Sequence, residues 1–460
     1  MTLDISVREL SKILDSTFFG EENLSENLRI SQVATDSRSL GLGDVFVALR
    51  GENFDGHEFA QTAIERGAIA LIVDHPLEIT KDLNIPQLIV SDTLAGYQKI
   101  AQWWRNQFSI PIIGITGSVG KTTTKELIAA ALSLHGKVHK TQANYNNEIG
   151  VPKTLLEITP DHDYAIIEMA MRGRGEIALL AQIAQPTIGV ITNVGTAHIG
   201  RLGSEQAIAE AKCELLAEMP NSSVAILNHD NERLIKTAGQ FWSGQTVTYG
   251  LEGGDIHGKL IDSQTLQVEN LIFSLPLPGR HNALNYLAVL AIAKVLGLDW
   301  QSLTQGLTVE LPGGRARRHD LGNDILLLDE TYNAGLESML AALDLLQETP
   351  GKRRIAVLGA MKELGERSPE FHQQVGEKVK KLGLDYLFVL TNDPDVEYLV
   401  QGATGIQGAT GIETECFATH ELLVTRLENF MISGDRVLFK ASNSVGLGKV
   451  VAGLNQNAGK

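Results

Sequence analysis

Cysteine is nearly absent: of 460 residues only Cys213 and Cys416 carry a thiol, at no spacing that would hold a metal, so a reducing cytoplasm is the simplest home. Positive charge is in short supply, with 39 Lys and Arg against 55 Asp and Glu, a net charge of -16 and a pI near 5.2. That balance argues against broad nucleic-acid or anionic-membrane surfaces, so a polyanionic ligand must be met by local positive groups. Long apolar runs are missing too. The longest apolar helix candidate, Tyr286 to Leu298, is too short to span a bilayer and contains Lys294. Met1-Thr2-Leu3-Asp4-Ile5-Ser6 has no basic stretch leading into an apolar one, so no secretory signal is expected. With 43% hydrophobic and 20% charged residues and no low-complexity run, the chain is expected to fold throughout.

What the chain does have is a phosphate cradle. Gly117-Ser118-Val119-Gly120-Lys121-Thr122-Thr123 follows the apolar run Ile110 to Thr116 and opens a helix-like segment, Lys125 to His135. Glycines let backbone N–H groups approach phosphate oxygens, and a helix N-terminus favours the anion. Lys121 can then reach the terminal phosphates, and the Thr122 hydroxyl can ligate Mg²⁺. The stretch predicts ATP binding. The common P-loop places a glycine where this chain has Ile115, so the motif here is the shorter G-x-x-G-K-T form.

The length makes two or three domains the natural expectation. Apolar runs at Tyr164 to Met169, Thr187 to Thr192 and Val224 to Asn228 alternate with helix-like stretches, the rhythm of a helix-covered parallel sheet. It recurs at Ile325 to Leu328, Ile355 to Leu358, Tyr386 to Leu390 and Val437 to Phe439, which predicts a second α/β domain. Turn-prone Ser109-Ile110-Pro111 and Leu311-Pro312-Gly313-Gly314 place boundaries near residues 109 and 314, giving units 1–109, 110–313 and 314–460. Gln401 to Ile406 is repeated at once as Gln407 to Ile412, too short for a solenoid unit, and reads as a lengthened surface loop without function.

Glu168 ends the run Tyr164 to Ile167, where the edge of a parallel sheet gathers ligands, and with the P-loop upstream a Mg²⁺ role is favoured over a solvated carboxylate. His198, on the small-residue loop Thr192 to His198, reads equally well as a site residue or a plain loop histidine. Lys212 lies on a predicted helix, Ser204 to Glu218, with Ile208, Leu215 and Leu216 as its i-4, i+3 and i+4 neighbours. Burial on that stripe would lower its pKa and supply the neutral amine that adds CO₂ to form a carbamate. A snorkelling side chain is the commoner fate, and composition does not choose between them.

Four motifs occur in an order and spacing that resemble the Mur ligases: Gly117 to Thr123, Asn144 to Pro152, Thr192 to His198, and Gly279 to Asn285. Asp36-Ser37-Arg38, Gly43 to Leu49, Asp329 to Ala334 and Leu358 to Gly365 resemble the branch of that family that adds D-alanyl-D-alanine. The resemblance runs from about Thr35 to Val450. It implies three α/β domains: a UDP-substrate-binding unit, a central P-loop parallel-sheet unit for ATP, and a Rossmann-like C-terminal unit for the dipeptide. Gly117, Ser118, Val119, Gly120, Lys121, Thr122 and Thr123 would hold ATP, joined by Asn282, Arg315, Asp329 and Tyr332. Lys121, Glu168, His198 and Lys212 would be catalytic. Thr122, Glu168, His198 and carbamylated Lys212 would serve Mg²⁺. Ser37, Arg38, Asn144, Asn333, Lys440 and Ser442 would contact the UDP-N-acetylmuramoyl-tripeptide or the dipeptide. The family's Asn-Ala-Asn-Pro-Asp-Ser stands here as Asn333 to Ser338 with Gly335, Leu336 and Glu337, and its Lys-Gly-Ser-Arg as Lys440-Ala441-Ser442-Asn443.

The resemblance therefore implies an ATP-dependent amide ligase acting through an acyl phosphate in peptidoglycan precursor synthesis, and so in cell-wall growth, shape and division. A cytoplasmic monomer is expected, with no nucleic-acid partner and no membrane span. The alternatives are a Mur-type or folylpolyglutamate ligase adding a single amino acid, a P-loop ATPase switch, and a cell-wall scaffold.

Overall fold

The computed structural model describes residues 3–19, 28–78, 85–391, 393–405 and 412–458. Three separate sheets organise an α/β molecule of three domains. The first has five strands in the order Thr17–Phe19, Gln87–Ile89, Ala70–Val73, Val45–Val47, Val33–Ala34; only the first pair is antiparallel.

The central sheet has nine strands. Its parallel part runs Ile256–Asp262, Gln245–Gly250, Val224–Asn228, Ile188–Ile191, Ile112–Thr116, Tyr164–Glu168, Val138–Lys140. Its middle strands are buried along their whole length, as a sheet covered on both faces requires. Thr265–Val268 and Leu271–Ser274 extend it as an antiparallel meander that the predicted rhythm had not contained. The third sheet runs Arg317–Asp320, Leu326–Asp329, Asp435–Lys440, Arg353–Leu358, Tyr386–Leu390, Glu413–Phe417, parallel after its first strand. The stretches 90–111 and 275–316, between the sheets, contain both expected boundaries.

The P-loop helix, Lys121–Leu132, starts four residues earlier than expected. Gly120, at φ +83°, turns the chain into the helix. Thr122 and Thr124 tolerate the first turn because their hydroxyls are bonded to Glu168 and Asn285. The apolar helix likewise starts early, at Arg280, and ends at Val295. Among the described residues no helix is long and apolar enough to cross a membrane.

The reading of the duplicated segment as a loop fails in its first copy, because Gln401–Thr404 finish the helix Val396–Thr404. That helix crosses Ser368–Leu382 so closely that a Cβ on Gly402 would stand 2.3 Å from the Gln373 carbonyl oxygen. Glycine there is a packing residue. Residues 406–411 lie outside the described residues.

The helix Thr93–Arg105 packs on the first sheet and splints it to the second unit. Trp104 Nε1 donates to the Ile158 carbonyl at 3.0 Å, and buried Arg105 donates to the carbonyls of Ala184 and Gln185 at 2.8 and 3.0 Å.

Candidate active site

Strand order decides where the site falls. The chain leaves Ile112–Thr116, returns on one side as Tyr164–Glu168 and on the other as Ile188–Ile191, so the crevice at this switch opens above the three adjacent strand ends. The P-loop, Glu168 and the Thr192 to His198 segment occupy those ends. A Cβ on Gly117 would stand 1.9 Å from Thr192 Oγ1, which makes glycine obligatory there. The loop is also tied down: Asn193 Oδ1 accepts the Val119 N–H at 3.0 Å, Thr192 Oγ1 donates to the Val119 carbonyl at 2.7 Å, and the Gly195 N–H reaches Ser118 Oγ at 2.9 Å.

Thr122 Oγ1 donates to Glu168 Oε2 at 3.0 Å, while Asn146 Nδ2 donates to Oε1 at 2.9 Å. Lys125, 1% exposed, sits beneath, donating to the Thr141 carbonyl at 2.7 Å with Glu126 and Glu168 at 3.1 and 3.7 Å. Lys121 Nζ rests on the Gly117 carbonyl at 2.7 Å. Burial lowers its pKa, Glu168 opposes that shift, and Arg315 from the third unit adds to it. Lys212 is 2% exposed, which rules out the snorkelling alternative. Its pKa falls well below the usual lysine value, chiefly through burial and then through the charge of Lys121. His198, whose pKa is lowered mainly by burial, also feels both Lys121 and Lys212. The four predicted catalytic residues therefore share one neighbourhood.

The third unit presents a second cluster. Arg315 lies over the Tyr332 ring at 3.7 Å, and Asp329 Oδ1 accepts the Thr331 N–H and hydroxyl at 3.1 and 2.6 Å. Lys440 Nζ donates to the Asn333 carbonyl at 2.9 Å; burial lowers its pKa against the pull of Glu330. Ser442 Oγ accepts the Lys362 N–H at 2.9 Å, and Asn443 Nδ2 donates to the Tyr332 carbonyl at 3.1 Å. The clusters meet, since Arg315 acts on Lys121 and Lys440 acts on His281, whose pKa burial and that charge push down to about 4. Asn282 stands behind the P-loop helix, bonded to the Pro278 carbonyl and linked to Thr124 through Asn285.

Three predicted substrate residues stand apart. Asn144 is exposed, and Asn146 of the same motif reaches Glu168 instead. Arg38 is spread bidentately on Asp36, with Nε–Oδ1 at 2.9 Å and Nη2–Oδ2 at 2.8 Å, and Ser37 is buried. This turn borders a cleft of about 410 Å³ whose walls include Asp36 and Ser39 from the first unit and Lys153 and Glu157 from the second. Nearby His57, Asp74 and His75 lie close enough to share a cation, but Arg50 Nε already stands 3.0 Å from Asp74 and the Asp74 N–H occupies His57 Nε2. Those groups are already partnered within the protein, with Asp55 also reaching Arg50 at 3.4 Å and His57 at 2.5 Å.

Three family models match successive parts of the chain. The Mur ligase family catalytic domain matches residues 29–103, the Mur ligase middle domain 115–293, and the Mur ligase glutamate ligase domain 314–443. A UDP-N-acetylmuramoyl-tripeptide–D-alanyl-D-alanine ligase of Synechocystis sp. is 62% identical, over 99% of this chain and 98% of its own. The chain belongs to the Mur ligase family. Among solved structures, MurF from Acinetobacter baumannii superposes with a TM-score of 0.88 at 29% identity, covering 99% of both chains. MurF from Thermotoga maritima in complex with ADP gives 0.82 at 31% identity, covering 93% of this chain and 98% of its own. The P-loop of this Mur ligase lies within the residues that the middle domain matches.

Sequence reasoning missed Asn146, Asn193, Lys125, Glu337 and Glu363. All but Lys125 lay inside quoted motifs: Asn146 in Asn144 to Pro152, Asn193 in Thr192 to His198, Glu337 in Asn333 to Ser338 and Glu363 in Leu358 to Gly365. Lys125 lies i+3 from Thr122, a relation visible once the helix starts at Lys121. Replacing Asn193 by alanine frees the Val119 N–H. ATP affinity should then fall roughly tenfold, about 1.4 kcal/mol, as titration calorimetry would read.

Proposed function

We propose that this chain is an ATP-dependent ligase joining D-alanyl-D-alanine to a UDP-N-acetylmuramoyl-tripeptide through an acyl phosphate, a step of peptidoglycan precursor synthesis in the cytoplasm. One observation carries the reading: 62% identity along essentially the whole length of a relative bearing that activity in its name. The P-loop with Lys121 supplies the ATP site. Residues 1–109 would bind the UDP end, 110–313 ATP, and 314–460 the dipeptide.

The tripeptide's terminal carboxylate oxygen attacks the γ-phosphorus, and ADP departs. Lys121 and the P-loop N–H groups neutralise charge spreading over the phosphoryl oxygens, which is most of what such a transfer needs. The dipeptide amine then attacks the acyl carbon, loses a proton and expels phosphate. The oxygens of Thr122 and Glu168 form a hard donor set that suits Mg²⁺, with His198 and carbamylated Lys212 beside them. Held by Thr122 and Glu168, the metal would offset the negative charge of the phosphate when bound. Lys212 enters the carbamate as a neutral amine, adding CO₂ and releasing one proton; its depressed pKa supports that form. Arg315 and Tyr332 would flank the nucleotide, and Asn333, Lys440 and Ser442 the incoming dipeptide.

The test is a panel of UDP-muramoyl peptides given ATP, Mg²⁺ and either D-alanyl-D-alanine or single amino acids. Phosphate release should require acceptor and dipeptide together. Faster joining of a free amino acid would move the protein to another branch of the family, and equal release without acceptor would make it an ATPase switch.

A further inference from the structure

The contact between the second and third units is shaped by excluded volume. A Cβ on Gly195 would come 2.6 Å from the Glu337 carboxyl carbon, and one on Gly200 would come 2.6 Å from the backbone nitrogen of Gly365. Into the space above Gly195 goes the Glu337 side chain, whose two oxygens engage one residue of the other unit. Oε1 accepts the Thr196 N–H at 2.7 Å, and Oε2 accepts the Thr196 hydroxyl at 3.2 Å. Glu337 is in the first turn of the helix Leu336–Glu348, where the helix N-terminus favours a carboxylate. Around this centre, His198 Nδ1 pairs with Glu363 at 2.7 Å, the Gly200 N–H donates to the Glu363 carbonyl at 3.2 Å, and Arg367 lies 3.7 Å from Glu205.

Thr196 belongs to the segment that braces the P-loop through Asn193 and Gly195, and it lies two residues before His198. Whatever holds Thr196 therefore holds the loop beside the ATP site. Exposed ion pairs contribute little to such a contact, whereas two hydrogen bonds to a half-buried carboxylate contribute substantially.

We propose that Glu337 is a positioning residue that locks the third unit over the ATP site by gripping Thr196, and that glycine at 195 and 200 keeps the room this lock requires. Its kinetic effect rests on the ligase reading; its conformational effect does not. Because the lock joins two units that each have their own sheet, removing it opens the molecule without unfolding either one.

The test compares the full chain with Glu337→Ala, Glu337→Gln and Gly195→Ala by small-angle scattering, thermal melting and steady-state kinetics. Glu337→Ala should enlarge the radius of gyration with an unchanged melting temperature, raising the open-to-closed ratio on the order of tenfold through loss of the charge-assisted bonds. kcat should fall and the KM for ATP should rise, because opening carries Arg315 and Tyr332 away from Lys121 and the P-loop. Glu337→Gln keeps an acceptor for the Thr196 N–H without the charge and should fall between the parent and Glu337→Ala in both readouts. Gly195→Ala removes no hydrogen bond yet should also open the molecule, and it carries the test if Glu337→Ala is insoluble. Scattering identical to the parent in Glu337→Ala and Gly195→Ala, or a Gln variant as impaired as the Ala variant, overturns the lock. A scattering shift in a protein that ligates nothing would uphold the lock and sink the ligase reading.

Discussion

Lys121→Ala should abolish ligation while leaving the fold intact. Its ammonium stands on the Gly117 carbonyl within the P-loop, with Glu168 near enough to oppose the lowering of its pKa. Alanine removes the P-loop's cation from the phosphates without disturbing the ties from Thr192, Asn193 and Gly195 that shape the loop. The loss falls on the transition state, where charge spreads over the phosphoryl oxygens, and should be on the order of several kcal/mol. Phosphate release and product formation with the tripeptide nucleotide and dipeptide would measure it, with circular dichroism to establish folding. Near-normal turnover in a folded variant would remove the ATP-ligase reading altogether.

Lys212→Ala should lose nearly all activity, and short carboxylic acids such as acetate or formate should restore part of it. The native amine is buried, and the charge of Lys121 discourages its ammonium form. A carbamate reverses the sign of the group at that position, and a nearby divalent cation would favour it. In the alanine variant an added carboxylate can occupy the vacated space and supply the same negative charge. Lys212→Met, which fills the space with an uncharged chain, should resist rescue. Activity in Lys212→Ala that is unmoved by carboxylates across a concentration series would remove the carbamate and leave a structural lysine.

The elements legible in the sequence were those with a local signature. The P-loop announces itself through glycines between a strand and a helix, and Glu168 through its place at the end of an apolar run. Lys212 announces itself through helical spacing, because Ile208, Leu215 and Leu216 place it on the buried face. Asn146 has no local signature, because nothing in an irregular loop says which side chain turns inward to Glu168. Lys125 stayed hidden because a helix started at its own position puts it at the beginning, without the neighbours that carry it to Glu168. Glu337 and Glu363 stand in quoted motifs, but nothing local names their partners, Thr196 and His198, which are 141 and 165 positions away in the chain. The meander Thr265–Val268 and Leu271–Ser274 escaped because it alternates buried and exposed residues instead of forming apolar runs.

The splint formed by Trp104 and Arg105 has a mechanical consequence. A helix embedded in one sheet's core and donating to carbonyls of the next unit makes those two units turn as a single lever, and Gln102 Nε2 adds a bond to the Gln182 carbonyl at 2.8 Å. The cleft beside Asp36 and the ledge around Lys121 are then two marks on one rigid ruler. A molecule anchored at the first mark reaches the second only if its own length matches the interval.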